Sequence, residues 1–468
     1  MSTFSGISTA ASALAAARRG MDVVGQNIAN QNTEGYTRQR VTTHAVSVVQ
    51  LGRFSTGVSA GNGVAVTGVV RLGDDVLDGR VRSAVAATGY WSTRALAATT
   101  AEAALAEPTA DGLSARLSKF WSGWQDLANT PDSGAARAVL LESGKELAEH
   151  IASGYRAAAT QWADARAGVD RTVEQVNAAA EQIAALNIDI RDALASGRSA
   201  NELIDRRGVL AEDVAGMSGA TATIETDGTM TLRLDGNALV AGGDARRLTA
   251  SGPTSIEAGG RVSISWADAP GVTVSVAAGE LGGTLSVLAP AGDGGMLAGL
   301  ARTYNSLATT LADRVNAQHR AGSTSAGAPG GDFFALDTNG PPALGLSVAV
   351  GSASELALAA AGAGANDASN ADALSQLGRG AGAPDALWTD AVMSFGVSTA
   401  ADVQRARLSA TTTATAVSAR QAVSAVDGDE ETISLMTYQT AYQAAARVLT
   451  AVDEALDVVI NRMGMVGR

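Results

Sequence analysis

Apolar residues recur at alternating steps of three and four at both ends of the chain. Near the start, Phe4, Ile7, Ala11, Leu14, Met21 and Ile28 keep that step, with Arg18 and Gly25 interrupting it. At the other end Leu435, Tyr438, Tyr442, Ala445, Leu449, Val452, Leu456, Val459 and Met463 keep it without a break. A stripe of this period buries itself against another helix, so each terminus is predicted to be helical and the two ends to meet. An isolated helix is marginal in water. The seams therefore read as surfaces that become well ordered by packing against neighbouring subunits, with a helical hairpin closed within one chain as the alternative.

Between the ends the pattern changes several times. Residues 37–49 read as extended and 57–70 as a Gly-rich hairpin. Helical periodicity runs from about Asp74 to Ala106, where Glu107-Pro108 ends it, and again over 113–128. Asp132 or Ser133 then caps a long helical stretch reaching Ser196, marked by the stripe Val173, Val176, Ile183, Leu186 and Ile190. From 220 to 288 short β-like runs alternate with the turn signals Asp227-Gly228 and Asp235-Gly236. Helix returns over 297–318. The Gly/Pro/Ser-rich segment 321–342, with its apolar island Phe333-Phe334, reads as loose. After Pro384 the chain is helical to its end except at Asp427-Gly428, where Asp427 and Glu430 fit a capping box.

This order predicts a mainly α protein with a β-rich insert. Residues 1–72 and 425–468 form a terminal coiled-coil domain, 73–216 and 294–424 a helical bundle, and 217–293 a small outward β-rich domain. The chain of 468 residues has room for several cores.

Composition narrows the chemistry. Aromatic residues make up only 4% of the chain, which suits long helices in repetitive contact better than a deep ligand pocket. A formal net charge of −13, with no basic run, argues against nucleic acid. There is no cysteine, which excludes disulfides, thiolate nucleophiles and Cys-based zinc sites. No secretory pattern opens the chain and no stretch reads as a membrane span. His44, His150 and His319 lie in separate segments without a second ligand at metal spacing, and Asp74-Asp75 and Asp429-Glu430-Glu431 sit at predicted helix starts, where acids meet the positive dipole end. Neither an enzyme nor a cofactor is expected.

The segment Asn27-Ile28-Ala29-Asn30-Gln31-Asn32-Thr33-Glu34-Gly35-Tyr36-Thr37-Arg38-Gln39 reads physically as a helix stop. Asn30, Asn32 and Thr33 can bond free backbone groups, Gly35 permits a sharp redirection, and Tyr36 anchors the turn. It also resembles the signature near the N-terminus of flagellar rod, hook and hook-associated proteins. Tyr438 to Val448, with Gln443 and Arg447, and Asp453-Glu454-Ala455-Leu456-Asp457 resemble the C-terminus of the hook-associated members, and the blocks Gln125 to Pro131, 183–187, 201–207 and Val315 to His319 resemble their internal segments.

The resemblance implies a structural subunit at the junction of hook and filament. It implies a ring or tube of identical copies with the terminal helices innermost and the β segment outward. The implied partners are the hook protein, a second junction protein on the filament side, a cytosolic chaperone on the C-terminal helix and the flagellar type III export apparatus. No membrane insertion is implied. Another axial component, such as a hook or distal rod protein, is the alternative, and a cytoskeletal coiled coil is a distant third.

Overall fold

The computed structural model describes residues 3–46, 61–337, 339–364 and 366–462. Part of the expected Gly-rich hairpin, 57–60, and Met463 lie outside them, as does the side chain of Phe4.

The chain runs out along one set of helices and returns along another. Helix α1 (Thr3–Ala29) leads through the antiparallel hairpin β1 (Gln39–Ala45) and β2 (Val64–Arg71) into α2 (Asp75–Leu105). The return is α10 (Pro384–Ser424) followed by α11 (Gly428–Asp457). Contacts of Arg94 with Asp402 and of Thr88 with Thr413 make α2 and α10 antiparallel. Gly6 faces Val452, Gly20 faces Tyr438 and Asn27 faces Glu431, so α1 and α11 are antiparallel in one continuous register. The two ends of the chain thus pair with each other within the molecule, which is the hairpin alternative of the sequence reading.

The helix starts follow local chemistry. Asp74 Oδ1 accepts from the amides of Val76 and Leu77 at the head of α2, the capping role its position suggested. Ser133 caps α4 (Gly134–Ala195) through Ala136, with an N–O distance of 3.2 Å. At α11 only half of the expected capping box forms. Asp427 accepts from the amides of Asp429 and Glu430, whereas the Glu430 side chain turns away to Arg38.

Helix α4 is the spine of the body. It packs against α3 (Leu113–Asn129), α5 (Asn201–Ser218), α6 (Gly279–Val287) and α7 (Met296–Arg320), and its stripe Val173, Val176, Ile183, Leu186 and Ile190 is buried. The β-rich segment forms two antiparallel sheets. One joins β3 (Thr221–Ile224), β4 (Met230–Leu234), β5 (Asn237–Ala241) and β6 (Asp244–Ala245), and the other β7 (Leu248–Ser251), β8 (Ser263–Trp266) and β9 (Ala269–Val274). Asp235 and Gly236, both at positive φ, make the two-residue turn between β4 and β5.

These sheets do not stand apart on a core of their own. Leu232, Val240, Ile264 and Trp266 belong to the same buried cluster as the helices. Two buried asparagines on α4 bind strand backbone from one side as a neighbouring strand would. Asn177 exchanges hydrogen bonds with Leu248 N–H and C=O, and Asn187 does so with Met230, at 2.8–2.9 Å. Periodicity distinguishes strand from helix but does not show which face a strand packs on, so the insert read as a separate domain.

The segment expected to be loose, 321–342, is instead pinned to the core where it is described. It carries β10 (Gly322–Ser323) and β11 (Phe334–Leu336), the latter paired through the short helix α8 (Pro342–Gly345) with β12 (Leu346–Val348). Strand β10 pairs with β13 (Ala359–Ala360), which leads to α9 (Ser369–Ser375). Phe333 and Phe334 are fully buried against Phe120, and Phe333 also packs on Trp124. Asn316 accepts from both their amides. His319 holds the other side: its Nδ1 contacts Gly331 O at 2.7 Å and its Nε2 accepts from Ala357 N–H at 3.0 Å.

That arrangement requires a neutral imidazole, and burial lowers the His319 pKa below the ordinary 6.5, outweighing the contacts with Gly331 and Asp332 that raise it. The folded value lies below the unfolded one, so His319 contributes stability that is present above about pH 6.5 and is lost as pH falls through the folded value. Urea midpoints are expected to fall between pH 7 and 5, and to fall less in His319→Gln, which starts lower at pH 7. Any residual acid loss in the variant belongs partly to His150, whose pKa burial also lowers. Equal slopes in both proteins would remove His319 from this role.

Candidate functional site: the elbow joining terminal helices and body

The polar segment after α1 folds into a knot that fixes where the terminal pair leaves the body. Asn27, buried on the last turn of α1, is its centre. Its Oδ1 accepts from the Tyr36 hydroxyl at 2.9 Å and from Gln39 N–H at 3.0 Å. Its Nδ2 donates to Gln39 C=O at 2.9 Å and to Glu431 Oε2 at 3.0 Å. One side chain therefore ties the end of α1 to the hairpin and to the start of α11.

The turn itself is built by its neighbours. Asn30 Nδ2 reaches back to Gln26 C=O, and Thr33 Oγ1 donates to Asn30 Oδ1. Gly35 takes φ +76°, and a Cβ there would stand 2.3 Å from Val209 Cγ2, so both conformation and space demand glycine. Burial, with the charges of Asp205, Glu202 and Glu431, pushes the Tyr36 phenol up to about 12, which keeps it a donor.

Three ion pairs, two from Arg38 and one from Arg71, lock the knot. Arg38 bridges Glu430 and Glu431, each at 2.7 Å, with Glu431 almost wholly buried, and its amide donates to Ser424 C=O. Asp205 on α5 accepts from Thr37 N–H and from Arg71 Nε at 2.7 Å, while Arg71 also donates to Thr37 Oγ1. Asn201 adds bonds to Gln39 and to Val69 C=O. Charge-assisted bonds of this length are the strong kind, and partial burial weakens their screening.

The sequence reading named Asn27, Asn30, Thr33, Gly35, Tyr36 and Arg38, and the fold brings these together. Asn32 is exposed on the turn. Gln443 and Arg447 are not brought to the elbow; both lie exposed on α11. Asp205 and Arg71 were missed as partners, because an acid in the middle of a helix signals nothing until the loop that it receives is known.

The paired ends also differ from the expected seam. On α11, Leu435, Tyr438, Tyr442, Leu449, Val452 and Leu456 lie half-buried along the side that meets α1, together with buried Ala445, whereas Val459 is exposed. On α1 the face turned to α11 is Gly6, Ala10, Ala13, Ala17, Gly20, Val24 and Asn27. This is one residue, about 100° of helix, away from the stripe read from the large aliphatics. Ile7, Leu14 and Met21 are half-buried on the flank and Ile28 is exposed. The reason is volume: the tyrosines and leucines of α11 supply the bulk, so α1 turns its small residues to them. Arg18 and Gly25, which seemed to interrupt the seam, lie on the exposed side.

A cleft of 460 Å³ beneath the turn is lined by Arg71, Asp78, Arg82, Asp205, Glu212 and Arg420 among others, and Arg420 bridges Glu212 and Asp78. These groups hold one another. Among the described residues no cluster of His, Cys, Asp or Glu is placed to hold a metal ion, and no helix is long and apolar enough to cross a membrane. The arrangement is that of a junction closed by hydrogen bonds and ion pairs.

A mainly helical chain whose two ends form one paired stalk, with the elbow made from the N-terminal polar motif, is the architecture of a structural assembly subunit. Three family profiles match in the corresponding order: flagella basal body rod protein at residues 7–37, the flagellar hook-associated protein FlgK helical domain at 98–334, and the flagellar basal body rod FlgEFG protein C-terminal region at 418–463. Flagellar hook-associated protein 1 of Bacillus subtilis (strain 168) is 31% identical over the whole of both chains. That of Salmonella typhimurium is 30% identical over 70% of this chain, which spans 59% of the Salmonella protein. The structure of the flagellar hook junction protein FlgK from Burkholderia pseudomallei superposes with a TM-score of 0.61 over 74% of this chain and 99% of that one, at 17% identity, a likeness of fold. The chain is thus a structural protein of the bacterial flagellum. It belongs to the flagellar hook-associated protein 1 family.

Proposed function

We propose that this chain is the subunit that joins the flagellar hook to the filament, and that it assembles into a tube through its terminal helices. The observation that carries the reading is the apolar surface that the α1–α11 pair leaves uncovered. Ile28, Ile433, Met436 and Val448 are exposed on it, and Val459 is exposed just past the end of α11. A paired stalk that keeps so much apolar surface in water is built to be covered by neighbours.

In this arrangement 1–72 and 425–468 form the inner wall, 73–216 with 294–424 the next shell, and the sheets of 217–293 lie outward along α4. The neighbours are other copies, the hook protein below and a second junction protein above. Before assembly, a chaperone on α11 would shield its apolar side while the chain passes through the type III export apparatus.

Complementation tests the reading. In a strain lacking its hook–filament junction protein, this chain is expected to restore filaments on hooks seen by electron microscopy. Bare hooks with flagellin shed into the medium, obtained in the native host, would sink it.

A further inference from the structure

Each terminal helix carries a second stripe of heptad spacing that the intramolecular pairing does not use. On α1 it is Ala11, Ala15, Arg18, Asp22 and Gly25; on α11 it is Ala444, Arg447, Ala451 and Glu454, continued by Val458 just past the helix end. Every one of these residues is exposed. Steps that alternate between three and four residues are the period of a surface that buries against a helix. Their alanines and glycine allow close approach of two axes. The four charged residues make no ion pair among the described residues, although the elbow beside them is closed by ion pairs.

The charges on the two stripes are complementary but out of step within one molecule. By the register of the pair, Arg18 stands level with Thr440, and Glu454 stands level with the start of α1. Arg18 and Glu454 are therefore about 21 Å apart along the pair, and Asp22 and Arg447 about 16 Å apart in the same sense. A neighbouring copy displaced along the stalk by about 16–21 Å, its α11 against this α1, brings Glu454 to Arg18 and Arg447 to Asp22 together. The long arginine side chains span the difference. With no displacement, Arg18 meets Thr440 and Arg447 meets Ala11, and no opposite charges touch. Both halves of the match lie on one chain, which identifies the occupant as a second copy in a head-to-tail, heterologous contact.

We infer that the Ala11–Gly25 stripe of α1 receives the Ala444–Glu454 stripe of α11 from a neighbouring copy, with the pairs Arg18–Glu454 and Asp22–Arg447 setting the axial stagger. The inference rests on the proposed assembly through terminal helices and adds its register. It also gives Arg447, a motif residue that the elbow leaves unused, a task. Ion pairs at such a surface select register and partner more than they add affinity.

The absence of native cysteine makes the test direct. Arg18→Cys/Glu454→Cys cannot close within one chain, because a disulfide needs Cα atoms within about 7 Å. In flagella assembled in the native host and oxidised, it is expected to give a ladder of covalent dimers and longer multimers, with uncrosslinked monomer in solution. Asp22→Arg and Arg447→Asp are each expected to lower filament-bearing cells at least about tenfold, and the double exchange to restore them to within about threefold of the unsubstituted chain. Filaments without a ladder, together with a ladder from Arg18→Cys/Thr440→Cys, would overturn the stagger and leave assembly by the terminal helices standing. A double exchange no better than either single would overturn the pairing itself. Failure of the unsubstituted chain to build filaments would fall on the proposed function.

Discussion

Asn27→Ala is expected to detach the terminal helix pair from its anchor while the body stays folded. The substitution strands the amide and carbonyl of Gln39, the Tyr36 hydroxyl and one oxygen of buried Glu431. Each buried polar group left without a partner costs about 1–3 kcal/mol. Gln39 and Tyr36 are only half-buried, so water recovers part of that, and a local loss of about 2–5 kcal/mol is expected. It should appear as faster amide exchange over residues 22–40 and 428–438. Exchange in α4 and α7, whose core lies elsewhere, should not change. Unaltered protection at the elbow would mean that Arg38 and Asp205 hold it alone.

Why the elbow was only half legible in the sequence follows from the same bonds. The groups that shape the turn lie within a dozen residues of one another, and Asn, Thr, Gly and Tyr at those spacings carry a local meaning. The groups that fasten the turn to the rest of the molecule come from 404 and 168 residues away, through Glu431 and Asp205. Glu431 reads as a helix-start charge and Asp205 as an ordinary acid within a helix until the partner of each is placed. The long helices were readable to within a residue or two because Asp74, Ser133 and Pro384 mark their starts chemically. The segment 321–342 misled for the opposite reason. Its glycines and prolines give no periodicity, while Asn316 and His319, which pin Phe333 and Phe334, stand on the preceding helix.

Two glycine substitutions should separate the true seam of α1 from the one its large residues suggest. At Gly20 an added Cβ would lie 2.4 Å from Tyr438 Cε1 and 2.5 Å from Cδ1, so Gly20→Ala must push the ring out of the interface. Overpacking of this kind costs about 1–3 kcal/mol, more than the gain of about 0.5–1 kcal/mol that replacing a helical glycine by alanine normally brings. At Gly25 nothing stands within 4 Å of the new methyl group, so Gly25→Ala should keep that gain. Thermal melts and amide exchange of the purified chain are expected to show α1 and α11 loosened by the first and tightened by the second. In a Tyr438→Ala background Gly20→Ala should no longer destabilise, since the clash is with that ring. Had the seam followed Ile7, Leu14, Met21 and Ile28, Gly25 would be the crowded position and Gly20 the open one, and the signs of both effects would reverse. The result therefore bears on more than two glycines: it decides which face of α1 is spent inside the molecule and which remains for its neighbours.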